Sequence, residues 1–149
     1  MEDFTFNDFE TFVSEVTDFS GQFSKMQHRD DISYELKDDK TLVTDTDLQI
    51  ECLLRKAIEN LFPTHSISGE EFPDLSKKSN FKWIIDPIDG TFSFTKSVPL
   101  FGILVGLLHG SSPRFGCLRF PLLGNKLIVG DGEKAFENGR LIQSSKNVS

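Results

Sequence analysis

Trp83-Ile84-Ile85-Asp86-Pro87-Ile88-Asp89-Gly90-Thr91 decides both the architecture and the chemistry to look for. The apolar run at its start reads as a buried strand over 81–86 that ends abruptly at Asp86. Two carboxylates three residues apart follow, with Pro87 fixing a turn and Gly90 letting backbone approach a ligand. Such an ending aims several oxygens at one point. Hard cations such as Mg²⁺ take oxygen ligands and commonly share one or two carboxylates with a substrate phosphate. A helix beginning near Gly90 would turn its free N–H groups on that phosphate. The plainer reading is an Asp-Pro turn with an Asx cap.

Upstream, apolar residues from Phe9 through Phe12, Val13, Val16, Phe19, Phe23 and Met26 fall at helical spacing, which predicts a helix over 7–26 capped by Asn7 with Glu10. Thr44 followed by Asp47 predicts a second helix over 45–61, with Ile50, Leu53, Leu54, Ala57, Ile58 and Leu61 on its face and Pro63 stopping it. Beyond Pro63 the period changes to short apolar runs at 65–68, 81–86, 100–108, 114–120, 126–129 and 140–143. Turn residues at 110–113 and 123–125, and Asn138-Gly139, join antiparallel neighbours. The expectation is an α+β fold, a layered α/β sandwich with two N-terminal helices on a mainly antiparallel sheet, in one domain spanning 1–149.

The net charge of -7 is uneven: residues 1–51 hold fourteen Asp and Glu against four Lys and Arg. That balance excludes bulk nucleic-acid binding. An apolar content of 38% against 26% charged residues excludes a disordered chain. The longest apolar run, 100–108, is broken by Gly102 and Gly106 and falls far short of the ~20 residues of a membrane helix. Cys52 and Cys117 form no C-x-x-C pair, and Met1-Glu2-Asp3 lacks a basic leader, so a cytoplasmic location is expected.

Gly69-Glu70-Glu71 places carboxylates on a second loop, and Asp47 adds a third segment. Two metals ~3.5 to 4 Å apart need a bridging carboxylate, a part Glu70 could take. The plainer readings are a solvated acidic turn for Glu70 and Glu71 and a helix cap for Asp47, and capping is compatible with a catalytic task. Asp45-Thr46-Asp47 offers the D-x-D of phosphatases that attack through aspartate, but polar Thr44 breaks the strand that should present it. Cys117 has no Arg at the spacing of a cysteine-phosphatase loop, and His28, His65 and His109 share no ligand spacing.

Three ordered stretches carry a family resemblance: Lys37–Glu51 (KDDKTLVTDTDLQIE), Gly69-Glu70-Glu71, and Trp83–Leu108 (WIIDPIDGTFSFTKSVPLFGILVGLL). Together with Lys134-Ala135-Phe136 and Asn138-Gly139 they resemble the inositol monophosphatase family of Mg²⁺-dependent, lithium-sensitive phosphatases. Ser93-Phe94 and Val98–Gly102 are more similar to its histidinol-phosphate phosphatase branch. The resemblance implies two or more Mg²⁺ ions held by Glu70, Asp86, Asp89 and the Ile88 carbonyl. It implies Asp47 and Thr91 as the pair that activates water, and Gly90, Thr91 and Ser93 against the phosphate. The implied activity is hydrolysis of a small phosphorylated metabolite, histidinol phosphate first and inositol monophosphate next, with no nucleic-acid or membrane partner and a homodimer allowed. Family members are about twice this length, and their W-D-x-A-A segment, which completes the metal site, has no match here. The chain is therefore expected to be the N-terminal half. The rival reading is a truncated non-catalytic half-enzyme or pseudoenzyme acting only by association.

Overall fold

A computed structural model describes residues 3–29 and 31–145. Helix α1 (Phe6–Gln27) buries Phe9, Phe12, Val13 and Val16, as the spacing predicts. Its cap is not Asn7 with Glu10: Thr5 precedes the helix, its hydroxyl accepts from the Asp8 N–H, and the Asp8 carboxylate accepts from the Thr5 N–H. The helix begins one residue before Asn7, so the cap position falls to Thr5 and the position three residues on to Asp8. The predicted apolar stripe also fails in the second half of α1, where Phe19 and Met26 are exposed and Thr17, Ser20, Gly21 and Ser24 are buried. Small residues let the helix approach strand residues closely. A methyl on Gly21 would lie 3.4 Å from Pro121, and Thr17 Oγ1 accepts from buried Arg119 Nε at 3.1 Å.

A short hairpin follows, β1 (Glu35–Leu36) with β2 (Leu42–Val43), which the sequence reading did not assign. Helix α2 (Asp45–Leu61) begins at the Thr44–Asp47 capping box and buries Ile50, Leu54 and Ile58. Leu61, expected on that face, is exposed because the helix ends there and Phe62 turns in instead.

Strands β3 (Ser66–Gly69), β4 (Phe81–Asp89), β5 (Gly102–His109), β6 (Ser112–Phe120), β7 (Lys126–Gly130), β8 (Ala135–Glu137) and β9 (Arg140–Ile142) form one sheet in sequence order, with the one-turn helix α3 (Thr91–Thr95) between β4 and β5. Every pair is antiparallel except β3–β4. The β8–β9 turn has positive φ at both Asn138 and Gly139, the geometry that favours Asn-Gly. Strand β8 lies outside the sequence reading, being too short to show alternation.

Helices α1 and α2 cover one face of the sheet. Trp83 is fully buried there, with ring centroids 5.8 Å from Phe9, 5.1 Å from Phe12 and 5.4 Å from Phe62, and its indole N–H donates to His65 Nδ1 at 3.0 Å. On the opposite face Ile84, Leu104, Leu118 and Ile128 stay partly exposed and line a shallow apolar depression of about 610 Å³. Glu70 and Asp86 also line it. No helix among the described residues is long and apolar enough to cross a membrane.

The capping geometry gives a direct check. Thr5→Ala should lower stability by about 1 kcal/mol, whereas Asn7→Ala should leave it nearly unchanged; urea unfolding midpoints of the two variants decide between the caps.

Candidate active site

The site begins with an irregularity in β4. Along a regular strand side chains alternate, so Asp86 and Asp89, three apart, would face opposite sides. Strand β4 does not stop at Asp86 as the sequence suggested but continues to Asp89 through a bulge. Asp86 pairs with Leu104 and Asp89 with Gly102, leaving two residues of β4 opposite one of β5. Pro87 stands in the bulge, where its missing N–H costs no ladder bond. The slip shifts the alternation by one: Trp83 and Ile85 are buried before it and Ile88 after it, while Asp86 is half-buried and Asp89 exposed. Both carboxylates therefore leave the sheet away from the helix-covered core.

Gly90 then takes φ +86, and a methyl there would lie 2.9 Å from the Leu100 carbonyl, so only glycine fits. That turn opens α3 at Thr91. Thr91 Oγ1 lies 3.1 Å from Asp47 Oδ1 and 3.0 Å from the Ile88 carbonyl. A hydroxyl carries one proton and can donate to only one of these acceptors at a time. Asp47 is fully buried at the start of α2. Its Oδ2 accepts from the Thr44 N–H and hydroxyl, which leaves Oδ1 for Thr91. Burial raises the Asp47 pKa, against the hydrogen bonds from Thr44 and Thr91 that favour its ionised form.

Glu70, Asp86, Ile88, Asp89, Gly90 and Thr91 line one pocket of about 410 Å³, walled on another side by Lys40, Thr41 and Leu42 from the β1–β2 hairpin. Ser93 does not line it; its carbonyl accepts from the Lys96 and Val98 amides. Asp86 is pushed up to about 8, first by burial and then by Glu70, whose carboxyl is close enough to share a hydrogen bond, with Asp89 and Asp47 adding to the effect. Asp86 Oδ1 is buried with no hydrogen-bond partner. Crowded carboxyl oxygens with an orphaned acceptor are the donor chemistry that suits a hard divalent cation. Among the described residues, however, no three Asp, Glu, His or Cys side chains stand as a ready-made ligand cluster.

Several residues around the pocket escaped the sequence reading. Glu51, one turn beyond Asp47 on α2, is fully buried and holds the loop that carries Glu70. Lys37 pairs with Glu71 at 2.8 Å. Burial opposes the charge on Lys37, but Glu71, Glu70 and Asp39 outweigh it and its pKa rises. The available signal was Asp47, Glu51 and Arg55 at four-residue spacing, a polar stripe beside the apolar one.

Comparison with known proteins agrees with this fold. The inositol monophosphatase family matches residues 11–149, and the chain belongs to that family. A histidinol-phosphatase of Chlorobaculum parvum is 40% identical over 109 residues, covering 73% of this chain and 42% of its own length. Bovine inositol monophosphatase 1 is 38% identical over 109 residues, covering 70% and 39%. The structure of a Thermotoga maritima IMPase superposes with TM-score 0.86 at 29% identity, covering 95% of this chain and 56% of that one. The chain thus spans less than half the length of these two curated relatives.

The carboxyl pair sets a pH signature. Because the Asp86 pKa is raised from 3.8 to about 8, the folded state holds a proton that the unfolded state gives up. The stabilisation is complete below about pH 4 and fades as pH rises to about 8. In buffer free of divalent cations, chemical denaturation across that range should show stability falling with pH, and Asp86→Asn should flatten the fall.

Proposed function

We propose that this chain is the metal- and phosphate-binding part of a Mg²⁺-dependent phosphomonoesterase acting on a small phosphorylated metabolite. The observation that carries the reading is the single pocket lined by Glu70, Asp86 and Asp89, with Thr91 hydrogen-bonded to buried Asp47 at its edge. Glu70, Asp86, Asp89 and the Ile88 carbonyl are the proposed ligands of two or more Mg²⁺ ions. Bound divalent cations supply an acidified water and neutralise charge on the leaving oxygen. Asp47 Oδ1 accepts the Thr91 proton and so turns the Thr91 oxygen lone pairs toward the attacking water, orienting it and drawing its proton. The backbone N–H groups of Gly90 and Thr91, at the opening of α3, bind phosphate oxygens, with Ser93 more distant.

Histidinol phosphate is the favoured substrate. The histidinol-phosphatase of Chlorobaculum parvum and the inositol monophosphatase of cattle stand close to each other in identity to this chain, so inositol monophosphate is the next choice. Cys52 and Cys117 are free thiols, which fits the proposed cytoplasmic location. A second reading, a non-catalytic half that acts by association, draws on the partly exposed apolar face of the sheet and the half-length coverage.

Release of inorganic phosphate separates the two. Assays with histidinol phosphate and inositol monophosphate, with and without Mg²⁺, should show weak turnover by this chain. A chimera joined to the C-terminal half of the Chlorobaculum enzyme should show strong Mg²⁺-dependent turnover, because positioning and charge stabilisation both depend on a complete site. Equal inactivity of both would favour the non-catalytic reading. In the active form Asp89→Asn should weaken Mg²⁺ binding by roughly tenfold or more while keeping the fold, since an exposed carboxylate in a crowded acidic pocket adds nothing to the core.

A further inference from the structure

Glu51 is a charged side chain with no solvent exposure, on the inner face of α2 between Asp47 and Arg55. A buried carboxylate is costly unless its oxygens are satisfied, and these are satisfied by one short loop. Oε2 accepts from the Glu71 N–H at 2.7 Å, and Oε1 from the Phe72 N–H at 3.2 Å and from Arg55 Nε at 2.8 Å. Arg55 Nη2 closes the circuit by donating to the Phe72 carbonyl at 2.9 Å, and its guanidinium lies 5.9 Å from the Phe72 ring centre. Gly69 completes the fit, since a methyl there would stand only 2.0 Å from Glu51 Oε1. The segment Gly69–Phe72 is thus wrapped around a buried anion, with its amides turned in and Glu70 left exposed toward Asp86.

We propose that Glu51, locked by Arg55, is a positioning residue that sets where the Glu70 carboxylate stands in the pocket. Helix α2 then fixes two sides of the site from consecutive turns: Asp47 holds Thr91 at the head of α3, and Glu51 holds the loop bearing Glu70. Among the described residues the Glu71 and Phe72 amides both donate to Glu51, while Lys37 holds the Glu71 carboxylate and Arg55 the Phe72 carbonyl, so Glu51 is the group that turns the loop backbone inward. Because the consequence for metal binding rests on the proposed Mg²⁺ site, the loop and the metal are read separately.

The experiment uses NMR on the full chain and on Glu51→Gln, Gly69→Ala and Glu70→Gln. Glu51→Gln keeps the shape but replaces one acceptor oxygen by an amide NH₂ that faces donors, and Gly69→Ala pushes the carboxylate out while leaving it charged. Both should speed exchange of the Glu71 and Phe72 amides at least about tenfold relative to the Val105 and Val129 amides of the sheet. They should also weaken Mg²⁺ binding, followed by amide shifts, by about 10 to 100-fold, the range for groups that orient ligands. Glu70→Gln should weaken Mg²⁺ binding without changing that exchange. Unchanged loop exchange and unchanged Mg²⁺ affinity in Glu51→Gln would overturn the inference, as would exchange that rises equally in loop and sheet or failure of both variants to fold. If the parent chain binds no Mg²⁺, or Glu70→Gln binds it as the parent does, the metal reading fails, and the exchange data still decide whether Glu51 holds the loop.

Discussion

Two side chains three residues apart cannot share a face of an unbroken strand, and the site depends on how β4 escapes that constraint. One extra residue between Asp86 and Asp89 reverses the alternation, so the core takes Ile88 and the pocket receives both carboxylates. Proline suits the bulge because it has no amide to lose, and Gly90 suits the next turn because neither its φ nor its distance from the Leu100 carbonyl admits a side chain. The strand thus delivers acidic groups to its end without breaking the hydrogen bonds that anchor it to β5 before and after the slip.

Such an arrangement concentrates negative charge, and the surrounding structure manages it unevenly. Asp47 is offset by hydrogen bonds from Thr44 and Thr91, Glu51 by two amides and Arg55, and Glu71 by Lys37. Asp86 receives no comparable partner: one oxygen is orphaned and the other group beside it is a second carboxyl. Satisfied carboxylates around one carboxyl that lacks a cationic or amide partner are the pattern expected where oxygens are held ready for a ligand, since structural carboxylates are normally satisfied.

Much of this was legible in the sequence where a local rule governs. The Thr44–Asp47 box, the Asn138-Gly139 turn and the change of period after Pro63 each depend on neighbouring residues, and each appears where expected. The errors arose where tertiary contact overrides local pattern. Phe19 and Met26 continue a helical stripe, yet β6 approaches α1 at Thr17 and Gly21, so the larger residues are turned outward. The strand end assigned to Asp86 was a bulge, which proline announces as readily as a turn. Glu51 carries no local signal of the loop it holds because its partners are amides about twenty residues away, and amides leave no trace in a sequence.

Proton release on metal binding tests the central claim most directly. With the Asp86 pKa near 8 in the cation-free chain, a divalent cation entering the pocket must displace the proton it shares with Glu70. Calorimetric titration with Mg²⁺ at pH 7, in two buffers of different ionisation enthalpy, should therefore show release of about one proton per chain as the pocket fills, and Asp86→Asn should abolish it. Binding without proton release, or release that persists in Asp86→Asn, would contradict the account.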